Sequence, residues 1–152
     1  LRSGRYKDAQ EALDRAEAVA PENRRHYALG QRGHLLEAQG RFAEAERVFL
    51  EAKGLDPADD ATYLIFAGSA AFGRGDIETA IDHARAATQC AEGCIDEAYF
   101  NLGGYLLSAQ RYQEAAECYR KALEIAPKYE IARERLDDVR LVLDRIAADR
   151  PA

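Results

Sequence analysis

The stretch GRFAEAERVFLEAKGLDP, residues 40–57, decides the fold. Ala45, Phe49 and Ala52 step by four and three, the spacing that puts three side chains on one face of an α-helix. A glycine opens the stretch and a proline closes it. Glycine supplies the left-handed backbone of a tight turn, and proline bounds a helix because it lacks an N–H donor. Three other stretches carry the pattern in phase: GRYKDAQEALDRAEAVAP from Gly4, GDIETAIDHARAATQCAE from Gly75 and QRYQEAAECYRKALEIAP from Gln110. Their central alanines, Ala9, Ala45, Ala80 and Ala115, lie 36, 35 and 35 residues apart.

Moving outward, a second shared segment precedes three of the four: YALGQRGHLLEAQ from Tyr27, YLIFAGSAAFGR from Tyr63 and YFNLGGYLLSAQ from Tyr99. Gly40, Gly75 and Gln110 stand between the paired segments. Each unit therefore reads as helix, tight turn, helix and connection. Strand-like alternation is absent and β-branched residues are few, so the chain is expected to be all-α. The recurring alanines mark close helix crossings, where a larger side chain would overpack at a cost of about 1–3 kcal/mol.

Composition agrees with a packed array of such units. With 152 residues, 47% of them apolar, the chain is too hydrophobic to be disordered. No stretch has the run of apolar residues that a membrane span needs, and LRSGRYKDAQ at the start is no secretory leader. The net charge of −6 argues against a nucleic-acid partner, which is held mainly through its phosphates. Residues 51–100 carry ten acids against three bases, while the flanking segments nearly balance. Three cysteines suit a reducing, cytoplasmic setting better than a disulfide framework. The absence of any Met leads us to expect a piece of a longer chain.

Glycine, alanine and proline recurring in phase resemble the tetratricopeptide repeat family, whose helix–turn–helix unit is about 34 residues long. The resemblance rests on Leu29, Leu64 and Tyr99 in the first helix, and on Gly33, Gly68 and Gly103 one turn later. In the second helix it rests on Ala45/Phe49/Ala52 and Ala115/Tyr119/Ala122, with Pro57 and Pro127 in the connections. The middle unit departs from the pattern, with Ala84 where a bulky residue is usual and Glu92 in place of proline. The resemblance implies a right-handed α-solenoid of antiparallel helix pairs. Residues 1–23 correspond to the second helix of a truncated unit, Leu1 falling part-way into it. Full units cover 26–59, 61–94 and 96–129. Residues 130–149 make a capping helix, with Leu136, Val139, Leu143 and Ile146 on one side and Arg–Asp pairs four apart on the other.

The resemblance also implies a concave groove lined by the first helices, with no enzyme and no cofactor. Carried onto this chain, the groove set is Tyr27, Gln31, His34, Ile65, Phe66, Ser69, Phe72, Phe100, Asn101, Leu107, Ile131 and Arg135. Ile65, Phe66, Phe72, Phe100 and Leu107 would form an apolar centre, a surface that suits a protein or peptide partner. Some family members clamp acidic chaperone tails with Lys, Asn and Arg. At those places this chain offers Gly30, His34, Phe66, Glu97 and Asn101, and in the frame shifted by one unit only Asn101 and Arg135 match. The acidic middle segment would repel such a tail as well.

Other chemistry is thin. Cys90 and Cys94 lie four apart, but a metal site needs further ligands and only His83 is near in sequence, so none is expected. Cys90 reads as a small buried apolar residue, Cys118 as an inert thiol and His34 as a surface histidine. Arg32 occupies a usually apolar place and is expected to snorkel or to pair with an acid of the preceding helix. Three roles stay open at this point: a peptide-binding module, a solenoid that self-associates through an open N-terminal face (Tyr6, Leu13, Val19), and a docking domain of a larger protein.

Overall fold

The computed structural model describes residues 2–151, with side chains from Gly4 onward, so Leu1 lies outside the described residues. Among the described residues eight α-helices follow one another: α1 (Arg2–Val19), α2 (Arg25–Ala38), α3 (Phe42–Ala52), α4 (Asp60–Gly73), α5 (Ile77–Ala87), α6 (Ile95–Ser108), α7 (Tyr112–Ile125) and α8 (Glu130–Ala148). Short 3-10 turns, Glu22–Arg24 and Pro57–Asp59, lead into α2 and α4. Each helix packs mainly on its sequence neighbours, giving an all-helical solenoid.

The turns between paired helices need one residue in the left-handed region. Gly40 (φ 74°) and Gly75 (φ 87°) meet that need without steric cost, while Gln110 takes φ 59° with a side chain attached. Asp76 then caps α5: its carboxylate accepts from the Thr79 N–H at 3.1 Å and the Thr79 hydroxyl at 2.8 Å. Those bonds hold its pKa below the usual carboxylate value.

The alanines of the repeat, Ala45, Ala52, Ala80, Ala87, Ala115 and Ala122, are all fully buried. Around them stand Phe49, Ile81, Leu106, Tyr119 and Val139, which with His26 are the large side chains most completely removed from water. Ile65 is a correction to the expected groove. It is only 5% exposed and packs with Leu64, Ala87 and Ala98 in the core, because α5 and α6 close over that side of α4.

The two ends are held differently. On α8, Ala132, Leu136 and Val139 are buried, whereas Leu143 is half-buried and Ile146 is 40% exposed. The Arg–Asp pairs four apart do not form there: Arg140 lies 3.4 Å from Asp137, three residues back, and Arg133 donates to the Pro127 carbonyl at 2.7 Å. On α1, Leu13 and Ala9 are half-buried and polar contacts carry the docking. Arg32 of α2 reaches Glu17 at 2.5 Å and Asp14 at 2.6 Å, the pairing with a preceding helix that its position suggests. Tyr6 donates to the Ala38 carbonyl at 2.9 Å. Of the three side chains expected to be open on α1, only Val19 is well exposed.

Candidate functional site

The first helices of the units share one side of the solenoid. α4 touches α6 directly, whereas α3, α5 and α7 make no comparable contact with one another among the described residues. The first helices α4 and α6 therefore approach each other more closely than the second helices do.

The sequence-derived set lies on α2, α4, α6 and α8, at different depths. Tyr27 (57% exposed), Phe72 (42%) and Ile131 (54%) stand out from the surface, together with Gln31, His34, Ser69 and Arg135. Phe66, Phe100, Asn101 and Leu107 are half-buried. Ile65 is absent from the face for the reason given above.

Two aromatic clusters anchor the surface. In the first, the Phe66 ring lies 4.5 Å from His34, 5.3 Å from Phe49 and 6.2 Å from Tyr63, centroid to centroid. His34 meets Phe49 edge-on at 5.1 Å and keeps an Nδ1 contact of 3.1 Å with Glu37. It is thus fixed between a carboxylate and two rings, rather than simply solvated. In the second cluster Phe100 lies 5.7 Å from Tyr119 and 5.0 Å from Tyr129. Such tilted and edge-on rings combine apolar burial with quadrupole attraction, which makes a stiff surface.

Between α2 and α4 the first cluster opens into a hollow of about 200 Å³, bounded by Tyr27, Gly30, Gln31, His34, Asp59, Thr62, Tyr63 and Phe66. Tyr63 stands at its floor and donates to the buried His26 carbonyl at 2.9 Å. Burial, with Asp59, Tyr27 and Asp56 nearby, pushes its phenol up to about 12, so it remains a neutral donor. Sequence reasoning passed over Tyr63 and Asp59. Tyr63 falls one position after a groove place, and Asp59 falls in a connection where periodicity says nothing.

The face is acidic overall. Asp96 and Glu97 lie close enough to Tyr129 to raise its phenol beyond what burial alone does. Glu37 adds to the burial that lifts Tyr105 to about 12. Arg135 supplies positive charge near Tyr119, whose phenol burial still holds at about 12.

The other singled-out side chains serve the frame. His83 contacts Glu46 at 2.8 Å, and Arg74 reaches the same carboxylate at 3.0 Å, joining α3, α5 and the end of α4. Cys118 is buried and its thiol is pushed up to about 11, which makes it a poor nucleophile. Cys90 lies just past the end of α5 and is half-buried rather than buried, and burial raises its thiol too; Cys94 is exposed.

Sequence profiles of the tetratricopeptide repeat match residues 1–60, 31–93 and 96–129. The chain is 30% identical over 128 residues to the small glutamine-rich tetratricopeptide repeat-containing protein 2 of Mycosarcoma maydis, 84% of this chain and 33% of that protein. The chain spans between 14% and 33% of the length of the curated relatives it matches. The Sgt2 repeat domain of Aspergillus fumigatus superposes with a TM-score of 0.73 at 23% identity, over 88% of this chain and 87% of that one. The first repeat domain of Spaghetti (RPAP3), solved with the HSP90 peptide SRMEEVD, gives 0.68 at 22% identity, over 78% and 93%. The profiles cover both helices of every full unit and the helix before them, and on that ground the chain belongs to the tetratricopeptide repeat family.

Proposed function

We propose that this chain is a non-enzymatic protein-interaction module that holds an extended peptide segment of a partner along α2, α4, α6 and α8. The observation that carries the reading is the row of aromatic and apolar side chains left in water on the first helices. Tyr27, Phe72 and Ile131 stand proud of it, and the Phe66 hollow lies between α2 and α4. Exposed aromatics on a stiff base lose little side-chain entropy on binding and make good anchors. A micromolar complex needs about 8 kcal/mol, within reach of three or four such anchors if ordering costs stay small.

The RPAP3 domain supports the mode in general, since its fold holds a peptide. The charge here favours a different peptide. Asp59, Glu37, Asp96 and Glu97 on or beside the face select apolar anchors with basic flanks over an acidic tail. A non-enzymatic role is supported by the match to the tetratricopeptide repeat along most of the chain.

The test is selection of a random peptide display library on the chain, followed by affinity measurements with Tyr27→Ala and Phe72→Glu. Both positions are exposed, so the fold should survive. Selected peptides should carry aromatic or aliphatic anchors and lose at least tenfold in affinity to the double variant, about 1.4 kcal/mol. Peptides that bind the double variant as tightly as the parent chain would refute the groove.

A further inference from the structure

His26 is the one buried histidine of the described residues, 1% exposed at the start of α2, and neither ring nitrogen has a hydrogen-bond partner. A buried polar group left unsatisfied costs about 1–3 kcal/mol, so its retention calls for a reason. Two carboxylates flank it. Asp59 Oδ2 stands 3.3 Å from His26 Nε2, at an angle that makes no hydrogen bond. A ring nitrogen of His26 and one oxygen each of Asp56 and Asp59 all lie within 4.8 Å of one another.

From this we infer that His26, Asp56 and Asp59 form a binding site for a divalent transition cation of the zinc class. Zinc bound by imidazole and carboxylate at 2.0–2.2 Å in a tetrahedron separates its ligand atoms by about 3.4 Å, close to the observed His26–Asp59 spacing. One nitrogen and two carboxylate oxygens suit such a cation, whereas calcium or magnesium takes oxygen alone. Two carboxylates and a neutral imidazole balance its charge.

The surroundings hold these groups ready. Tyr63 fixes the His26 backbone by its bond to the carbonyl, and the Tyr27 ring lies 4.0 Å from the imidazole. Asp56 spends Oδ1 on the Ala58 N–H at 3.1 Å and keeps its second oxygen. Asp59 directly precedes α4, yet its side chain caps no backbone N–H there. Asp60 takes no part, since its Oδ1 accepts from the Gly54 N–H. The cation would tie the start of α2 to the connection before α4, joining the two ends of the first full unit. Three protein ligands leave one tetrahedral position for water.

Zn2+ titration of the full chain by calorimetry tests this, with Cys90→Ser/Cys94→Ser as the background so that thiols do not compete. Long-range proton–nitrogen NMR of the imidazoles provides the second readout. We expect one Zn2+ per chain, a shift of the His26 ring nitrogens with those of His34 and His83 unchanged, and at least tenfold weaker binding in Asp59→Asn and in Asp56→Asn. Circular dichroism establishes that these isosteric variants are folded. Absence of saturable binding would overturn the site, as would equal binding to the Asn variants or a response at His34 or His83. It also falls if Asp59→Asn moves the His26 signals while Zn2+ leaves them in place, because His26 and Asp59 would then be an ordinary ion pair.

Discussion

The first and third full units solve the crossing of their two helices in one way, and the middle unit in another. In the outer units a ring of the second helix lies against a glycine of the first. A Cβ on Gly33 would overlap the edge of the Phe49 ring, and one on Gly103 would come within 2.8 Å of Tyr119. In the middle unit Ala84 replaces the ring, and the space over Gly68 is filled from the next unit instead. The nearest atoms to a Cβ there would be the Ala80 carbonyl oxygen at 3.4 Å and the Tyr105 ring at 3.5 Å. The middle crossing is thus completed by α6, and a local rule is kept by a non-local side chain.

Removing that side chain is the sharpest way to break the comparison. Tyr105 is 9% exposed and packs with Ala71, Ala80, Ile81 and Ala84. Tyr105→Ala should therefore lower stability by about 3–5 kcal/mol, as for a buried aromatic truncated to a cavity, read from the urea midpoint. Next come the glycines. Gly33→Ala should destabilise by about 1–3 kcal/mol through overpacking, while Gly68→Ala should be neutral or gain up to about 1 kcal/mol from helix propensity. Equal losses at both positions would show that the middle crossing is as tight as the outer ones. The smallest effect compares the turns. Gln110→Gly should raise stability by about 0.5–1 kcal/mol by relieving the left-handed backbone, and Gly40 and Gly75 mark the reference state.

Much of the array was legible because its signals are local. Ala45, Phe49 and Ala52 repeat at helical spacing, and each crossing glycine falls one helix before such a triplet, with Ala84 in place of the ring in the middle unit. The concave set was legible only as a list of positions on first helices. Tyr27, Phe72 and Ile131 are exposed, whereas Ile65 is buried because α5 and α6 close over that side of α4. The Arg32 clasp was half legible. An arginine at an apolar place demands a counter-charge, but that both Asp14 and Glu17 supply it depends on how α1 lies on α2.

The amino-acid order by itself determined the helices, their pairing and the family, because periodicity, glycine turns and small residues at crossings act over one or two turns of chain. Tertiary structure alone decided the rest. It set the depth of each groove residue, placed Tyr105 over Gly68, and brought His26 together with Asp56 and Asp59 across about thirty residues of chain. The reason is physical: burial and the meeting of polar groups depend on how whole helices stack, and no short stretch of sequence carries that information.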